Sequence, residues 1–396
     1  MRRGRAGDAR ARAGISLGPL DGELVSVKDL FDVAGYTTWA GSRVLRGRPP
    51  AVSDAVIVAR LRRAGAVLLG KTNMTEFAFS GIGINPHYGT PGNGLDATRV
   101  PGGSSCGAGV SICEHTSDIA IGTDTGGSVR IPASLNGCVG FKPTTARVPR
   151  DGVYPLSYTL DSVGVLAGTV ATCSAADAVM AGEDPAAVQP APIRGLRIGV
   201  PQGSLFTELE PMVLQGFETS LSRLANAGAQ PMDTCIDELL DAMGDAMREA
   251  SILAVEAAAV HGPHLDNSAA QIDPRVASRI AAGRGVTAEA YARAMHRRGL
   301  LTGQMCVALS PYDVLALPTT AVTAPLLAPL LVDDALYHRT NLLLLRNTSW
   351  CNLFDLTALS LPMPEMPRPA GLMLVAVRNQ DRRLLSIGAA VEMVLR

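Results

Sequence analysis

The chain has 396 residues, of which 47% are apolar and 18% are charged, and its formal net charge is −1. This composition suffices for one large domain or two smaller ones, and it excludes a disordered chain, a coiled coil and a small disulfide-rich scaffold. The near-neutral charge argues against nucleic-acid binding and a membrane-surface role. Seven cysteines without a CxxC pair are typical of a reducing compartment. We therefore expect a soluble, cytoplasmic protein.

The N-terminal segment is basic. Residues 1–16 contain five arginines and a single aspartate, and no apolar segment of a secretory signal follows them. We predict that residues 1–16 form a flexible tail. No repeat or low-complexity linker divides the remaining chain, so residues 17–396 are predicted to form a single domain.

Apolar runs alternate with helical periodicity along this domain. Ser53 is expected to cap a helix that runs to Arg63, with Gly65 just past its end, and a buried strand is predicted at 66–69. Further strands are predicted at 119–121, 139–141, 196–200, 314–317 and 372–377. Further helices are predicted at 175–181, 212–227, 236–260, 288–309 and 384–395. The alternation predicts an α/β fold with a central sheet covered by helices.

Two familiar motif spacings are present, and neither is expected to have its usual function. Residues 65–72 match the P-loop spacing, but the four residues between the glycines are apolar and strand-like, whereas a P-loop wraps phosphates with a flexible loop. Residues 103–107 match the G-x-S-x-G motif of α/β-hydrolases, but no hydrophobic strand precedes them. The six histidines offer no obvious partner for a serine. We therefore predict neither a nucleotide site nor a Ser-His-Asp hydrolase.

Residues 121–132 carry a stronger signal, because a short strand leads into two adjacent glycines followed by Ser128. Successive backbone N–H groups of such a loop can converge on a developing oxyanion, with Ser128 as the nucleophile. The alternative is a glycine-rich turn with a capping serine. A serine nucleophile needs a base, and Lys28 lies in an apolar, strand-like run where its charge is costly unless it is paired or lost.

Seven motifs along the chain extend this pattern. They are GPLDGELVSVKD at 18–29, GKTNMTEF at 70–77, PGGSS at 101–105, GTDTGGSVRIP at 122–132, GFKPT at 140–144, LDSVG at 160–164 and GLMLV at 371–375. Together, in this order, they resemble the amidase signature family of Ser-Ser-Lys hydrolases over nearly the whole chain. The resemblance implies a single α/β domain in which helices cover both faces of a central, mixed, twisted β-sheet.

The resemblance also implies a catalytic triad. Lys28 corresponds to the ultimate base, Ser104 to a bridging serine that follows a cis peptide bond, and Ser128 to the nucleophile. The oxyanion is expected to bind backbone amides of Thr125, Gly126, Gly127 and Ser128. The residues expected to support the loop are Ser105, Asp124 and Arg130.

The function implied is hydrolysis of the C–N bond of a small organic amide through an acyl-enzyme, without a metal or cofactor. One alternative is the amidotransferase subunit of a tRNA-dependent transamidation complex, and another is a catalytically weakened paralogue with a binding role. The expected partner is a small amide, with a homodimer left open, and neither nucleic acid nor a membrane is expected.

Lysine is scarce in this chain, which makes its three lysines informative. Lys28 must lose its proton near neutral pH, so we expect burial to lower its pKa. Lys71 and Lys142 also lie in the family motifs, and for them we expect salt bridges or contacts with carbonyl groups. The sequence departs from the family at Cys106, where a glycine is usual, and a side chain there is expected to crowd the loop.

Overall fold

The computed structural model describes residues 2–396, with side chains from Gly7 onward. Ten strands form one sheet in the spatial order β2-β1-β3-β5-β4-β9-β10-β8-β6-β7. Their bounds are β1 Leu24–Lys28, β2 Val67–Thr72, β3 Ile119–Asp124, β4 Val139–Lys142, β5 Ser162–Ala167, β6 Arg197–Pro201, β7 Gln230–Thr234, β8 Val314–Pro318, β9 Thr357–Pro362 and β10 Gly371–Ala376. The sheet is mixed, because β1 is parallel to β2 and β3 whereas β3 and β5 are antiparallel.

Helices accompany the sheet along the whole chain. Their bounds are α1 Arg2–Arg12, α2 Val56–Arg63, α3 Cys106–Cys113, α4 Arg130–Asn136, α5 Val170–Ala181, α6 Pro211–Asn226, α7 Asp237–Glu249, α8 Ile252–Ser268, α9 Pro274–Ala281, α10 Ala288–Leu309, α11 Leu327–Val332, α12 Asp334–Leu353 and α13 Asp381–Leu395. No helix in the described range 2–396 combines the length and apolar character that are needed to cross a bilayer.

Successive residues of the central strands pack into different hydrophobic clusters. In β3, Ile119 and Ile121 join the large cluster that includes residues of α2, α5 and α13, whereas Ala120 joins a smaller cluster with α3 and α4. Since neighbouring side chains of a strand point to opposite faces, helices cover both faces of the sheet. The α/β fold with a central mixed sheet covered by helices is therefore confirmed.

Most of the predicted elements are present, and the helix 288–309 has the predicted bounds. Two predictions are wrong. Ser53 is not a helix cap, because α2 begins only after Ala55, which makes no side-chain cap hydrogen bond. The helix predicted at 236–260 is two helices, because Ala250 is extended and the side chain of Ser251 caps α8 by accepting from Ala254 N.

The basic N-terminal segment contains a helix that its sequence did not predict. Residues 2–12 form α1, and Arg10 forms an ion pair with Asp21. The predicted boundary between residues 16 and 17 and the flexibility of the tail stay predictions.

Candidate active site

The predicted catalytic groups lie at the carboxyl ends of two neighbouring parallel strands. Val27 of β1 lies opposite Ile121 of β3, so both strands end at the same edge of the sheet. β1 ends in Lys28, and β3 ends in Asp124, where the glycine-rich loop to α4 begins. The tertiary fold therefore brings Lys28 to the loop that carries Ser128.

Lys28 is fully buried and contacts two hydroxyl groups. Its Nζ lies 2.7 Å from Ser104 Oγ and 2.9 Å from Thr123 Oγ1. Burial lowers the pKa of Lys28 to about 7, and nearby acidic groups oppose this shift only in part. A substantial fraction of the Lys28 amine is thus uncharged at neutral pH and able to accept a proton from Ser104.

Ser105 connects the segment before α3 to the glycine-rich loop, and Ser104 directly precedes Ser105. The Gly103–Ser104 peptide bond is cis, as the resemblance implies. The Ser105 N–H donates to Ser128 O at 3.3 Å, and Ser105 Oγ donates to Thr123 O at 3.4 Å. Position 103 requires glycine because a Cβ there would lie 2.6 Å from a backbone nitrogen of the neighbouring loop.

A buried, bidentate ion pair joins the two ends of the glycine-rich loop. Arg130 Nε donates to Asp124 Oδ2 at 3.0 Å, and Arg130 Nη2 donates to Asp124 Oδ1 at 2.8 Å. Burial alone would raise the pKa of Asp124, but the charge and hydrogen bonds of Arg130 hold it well below its usual value. Asn352 of α12 completes the cluster, because it accepts from Arg130 at 2.8 Å and donates to Asp124 Oδ1 at 3.0 Å.

Two further contacts shape the loop from Thr125 to Ser128. Thr125 Oγ1 donates to Asp161 Oδ1 at 2.6 Å, which anchors the start of the loop. The amide N–H of Gly127 donates to Asp124 Oδ1 at 2.8 Å, so this amide is already engaged inside the protein. The set of four predicted oxyanion donors is thereby reduced to the amides of Thr125, Gly126 and Ser128.

Ser128 lies at a largely apolar cavity of about 390 Å³. Thr125 and Gly126 line the same cavity. Its walls come from segments that are far apart in the chain, including Phe79, Leu156, Leu160, Met247, Leu342 and Leu353. The predicted nucleophile and two of the predicted oxyanion donors therefore face one space of a size suited to a small organic molecule.

Arg279 of α9 supplies the one cationic side chain of this cavity within the described residues. Its Nη1 donates to the backbone oxygen of Phe79 at 2.6 Å, and its guanidinium lies 4.1 Å from the centroid of the Phe79 ring. Burial lowers the pKa of Arg279 to about 10, still far above neutrality. It forms no ion pair with a carboxylate of residues 7–396, so a positive charge faces the cavity without an internal counter-ion.

The other two lysines make the contacts expected of them. Lys71 Nζ lies 2.6 Å from Asp29 Oδ1 in a salt bridge. Lys142 is buried, and its Nζ donates to the backbone oxygens of Pro143 and Leu356, both at 2.7 Å. Both predictions are confirmed, and of the three lysines only Lys28 contacts a serine hydroxyl.

Cys106 is accommodated at the start of α3. Its side chain is fully buried, with Sγ 4.0 Å from Asn73 Oδ1, and burial raises the pKa of the thiol to about 12. The close approach of backbones occurs at the next residue, because a Cβ on Gly107 would lie 2.7 Å from the Asn73 nitrogen. The prediction that a side chain at Cys106 crowds the loop is therefore wrong, and the position without room for a side chain is Gly107.

Several residues of the site were not identified from the sequence. They are Thr123 beside Lys28, Asp161 beside Thr125, Asn352 in the ion-pair cluster, and Arg279 in the cavity. Thr123 and Asp161 lie within family motifs, so the motifs themselves were a signal. Asn352 and Arg279 belong to helices that carry no motif, and only the fold brings them to the site.

The single α/β domain thus places a buried lysine next to a serine hydroxyl, beside a glycine-rich loop. Comparison with known proteins identifies the family, since a profile described as Amidase matches residues 2–385. The chain belongs to the amidase signature family.

Individual relatives agree with this assignment. The chain is 38% identical over 394 residues to the 2-amino-5-chloromuconic acid deaminase of Comamonas testosteroni, covering 96% of this chain and 83% of that protein. It is 34% identical over 439 residues to a glutamyl-tRNA(Gln) amidotransferase subunit of Acidothermus cellulolyticus, covering 99% and 85%. A solved amidase structure superposes with a TM-score of 0.89 at 32% identity, covering all of this chain and 89% of that one.

Proposed function

We propose that this protein is an amidohydrolase that cleaves the C–N bond of a small organic amide by means of Lys28, Ser104 and Ser128. The observation that carries the proposal is the 2.7 Å contact between Ser104 Oγ and the buried Lys28 Nζ, whose pKa is lowered to about 7. A lysine in this state acts as a general base near neutral pH, which an arginine cannot do.

The proposed mechanism is a two-step acyl transfer. Ser128 Oγ attacks the amide carbonyl carbon while its proton passes to Ser104, and the Ser104 proton passes to neutral Lys28. Backbone amides of the glycine-rich loop stabilise the oxyanion. The C–N bond then breaks, the relay returns a proton to the departing amine, and Ser128 is left as an acyl ester. Water, deprotonated through the same relay, hydrolyses this ester and regenerates Ser128.

We further propose that the substrate carries a carboxylate in addition to its amide. Arg279 faces the cavity without a carboxylate partner among the described residues, and a guanidinium suits a carboxylate through paired hydrogen bonds. The remaining walls are mostly apolar, so the expected substrate is a small molecule with an apolar body and an acidic end. The deaminase of Comamonas testosteroni is likewise named for an acid.

The test compares matched amides that differ in charge. We expect the purified chain to release ammonia from succinamate faster than from butanamide, and we expect Ser128→Ala to abolish both reactions. Arg279→Met should lower kcat/KM for succinamate by about 10- to 100-fold, which is the range for losing hydrogen bonds to a charged group, and should change butanamide turnover much less. An equal loss for both amides, or a preference of the wild type for butanamide, would contradict the carboxylate proposal.

A second candidate function is that of an amidotransferase subunit, which the 34% identity to the glutamyl-tRNA(Gln) amidotransferase protein of Acidothermus cellulolyticus favours. The same assay discriminates between the two. Turnover by the isolated chain supports the free-standing hydrolase, whereas turnover of glutamine that appears only with an added partner protein supports the amidotransferase.

A further inference from the structure

Glu256 of α8 is a buried carboxylate that the proposed mechanism does not use. It accepts hydrogen bonds from Thr159 N at 2.9 Å and from Tyr291 OH at 2.6 Å, and it also accepts from the hydroxyls of Ser157 and Thr159. All four donors are uncharged. Three of them belong to the short loop before β5, so this one side chain holds that loop against α8.

The loop that Glu256 holds is also in contact with the glycine-rich loop. Asp161, at its end, accepts from the backbone nitrogens of Leu156 at 2.9 Å and Ser157 at 3.1 Å, and from Thr125 Oγ1 at 2.6 Å. Leu156 and Leu160 of the same loop line the cavity beside Ser128. A continuous chain of hydrogen bonds therefore runs from Glu256 through residues 156–161 to Thr125.

We propose that Glu256 is a positioning residue for the reaction, which acts through this loop to fix the oxyanion-binding backbone of Thr125 and the adjacent cavity wall. The inference rests on the proposed function. Its physical basis is that oxyanion donors stabilise a transition state only when they are held in place beforehand, and hydrogen bonds to a charged acceptor are the strong ones that can hold a loop. Small displacements of such groups reduce rates by up to about 100-fold.

The first test uses Glu256→Gln, which keeps the shape of the side chain but removes its negative charge and replaces an acceptor oxygen with an NH₂ group, so its hydrogen bonds to the loop become weaker. The readout is covalent labelling of Ser128 by a fluorophosphonate, which requires an active nucleophile and oxyanion donors but no amide substrate. We expect labelling to slow by about 10- to 100-fold. The pH at which labelling reaches half its maximal rate should not change, because none of the contacts of Lys28 involves Glu256.

The matched control is Glu249→Gln. Glu249 lies at the exposed end of α7 and pairs with Arg293 at 2.7 Å, so the same substitution there should leave labelling unchanged. If Glu256→Gln labels within twofold of the wild type, or if its pH midpoint shifts, Glu256 does not act through the oxyanion loop and the inference is wrong. A wild type that is not labelled, or a Ser128→Ala variant that still is, contradicts instead the proposed function.

Hydrogen exchange gives a second readout that is independent of chemistry. In Glu256→Gln, the peptide covering residues 125–131 should exchange faster, while the peptide covering β10 should not. If Glu256→Gln does not fold, Thr159→Val removes one hydroxyl donor and should produce a smaller change in the same direction. Unchanged exchange in the 125–131 peptide would overturn the inference.

Discussion

At the scale of single residues, Lys28 shows how environment changes the chemistry of a side chain. An exposed lysine is protonated at neutral pH, but burial of Lys28 lowers its pKa to about 7 while two hydroxyls keep its amine in place. Lys142 is also buried and its pKa is also lowered, yet it donates to two backbone oxygens and contacts no serine. Contact with Ser104, rather than burial alone, distinguishes the proposed base.

The rate of amide hydrolysis should therefore depend on the protonation of Lys28. The base is active when neutral, so kcat/KM should rise as the pH increases through about 7. Lys28→Arg should lose nearly all activity, because arginine stays protonated at this pH. The measurement is a pH–rate profile of the wild type beside single-pH assays of the variant. Substantial turnover by Lys28→Arg would contradict the assignment of the base.

At the scale of structural elements, the glycine-rich loop between β3 and α4 depends on two adjacent glycines for different reasons. Gly127 has a φ of 136°, and a Cβ there would lie 2.1 Å from Thr348 Oγ1 of α12. Gly126 lies against a cavity, and the nearest atom to a Cβ there is Leu345 Cδ2 at 3.5 Å. Only Gly127 combines a positive φ with a neighbouring side chain that leaves no room for a Cβ.

The two glycines form a matched pair for substitution. Gly127→Ala should lower the free energy of unfolding by about 1–3 kcal/mol or more and abolish labelling of Ser128, because the loop must move to relieve the clash. Gly126→Ala should unfold at the same denaturant concentration as the wild type. Urea unfolding measures the difference, and equal stability of the two variants would show that α12 does not constrain the loop.

At the scale of the whole molecule, the Asp124, Arg130 and Asn352 cluster joins distant parts of the chain. It connects the end of β3 and the start of α4 to α12, because Asn352 follows Asp124 by 228 positions in the chain. Asp124 and Arg130 are fully inaccessible to solvent. The cluster therefore couples the geometry of the site to the packing of α12.

Breaking this cluster should destabilise the entire protein. Asp124→Asn leaves Arg130 buried without its counter-charge, a change that typically costs about 3–5 kcal/mol. Asp96→Asn, which removes a more exposed ion pair with Arg99, should cost less than about 1 kcal/mol. The free energies of unfolding in urea give the comparison. A cost for Asp124→Asn no greater than that for Asp96→Asn would contradict this role.

Local signals in the sequence predicted the α/β class, many of the strands and helices, and Ser128 and Lys28 as a candidate nucleophile and base, whereas the role of Ser104 was implied by the resemblance to the amidase signature family. They could do so because hydrophobic periodicity and motif spacing act over short segments of the chain. Prediction failed in the run 236–260, where an extended Ala250 and the capping side chain of Ser251 divide an otherwise helical pattern into two helices.

Only the tertiary structure decided which distant side chains complete the site. Arg279 reaches the cavity, Asn352 reaches Asp124, and Glu256 reaches the loop at Ser157, although none of them lies in a motif. It also decided that the Gly127 N–H donates to Asp124 Oδ1, so that this N–H is not available to an oxyanion in the cavity. The physical reason is that charge compensation and hydrogen-bond partners depend on three-dimensional neighbours, whereas the sequence directly specifies only neighbours along the chain.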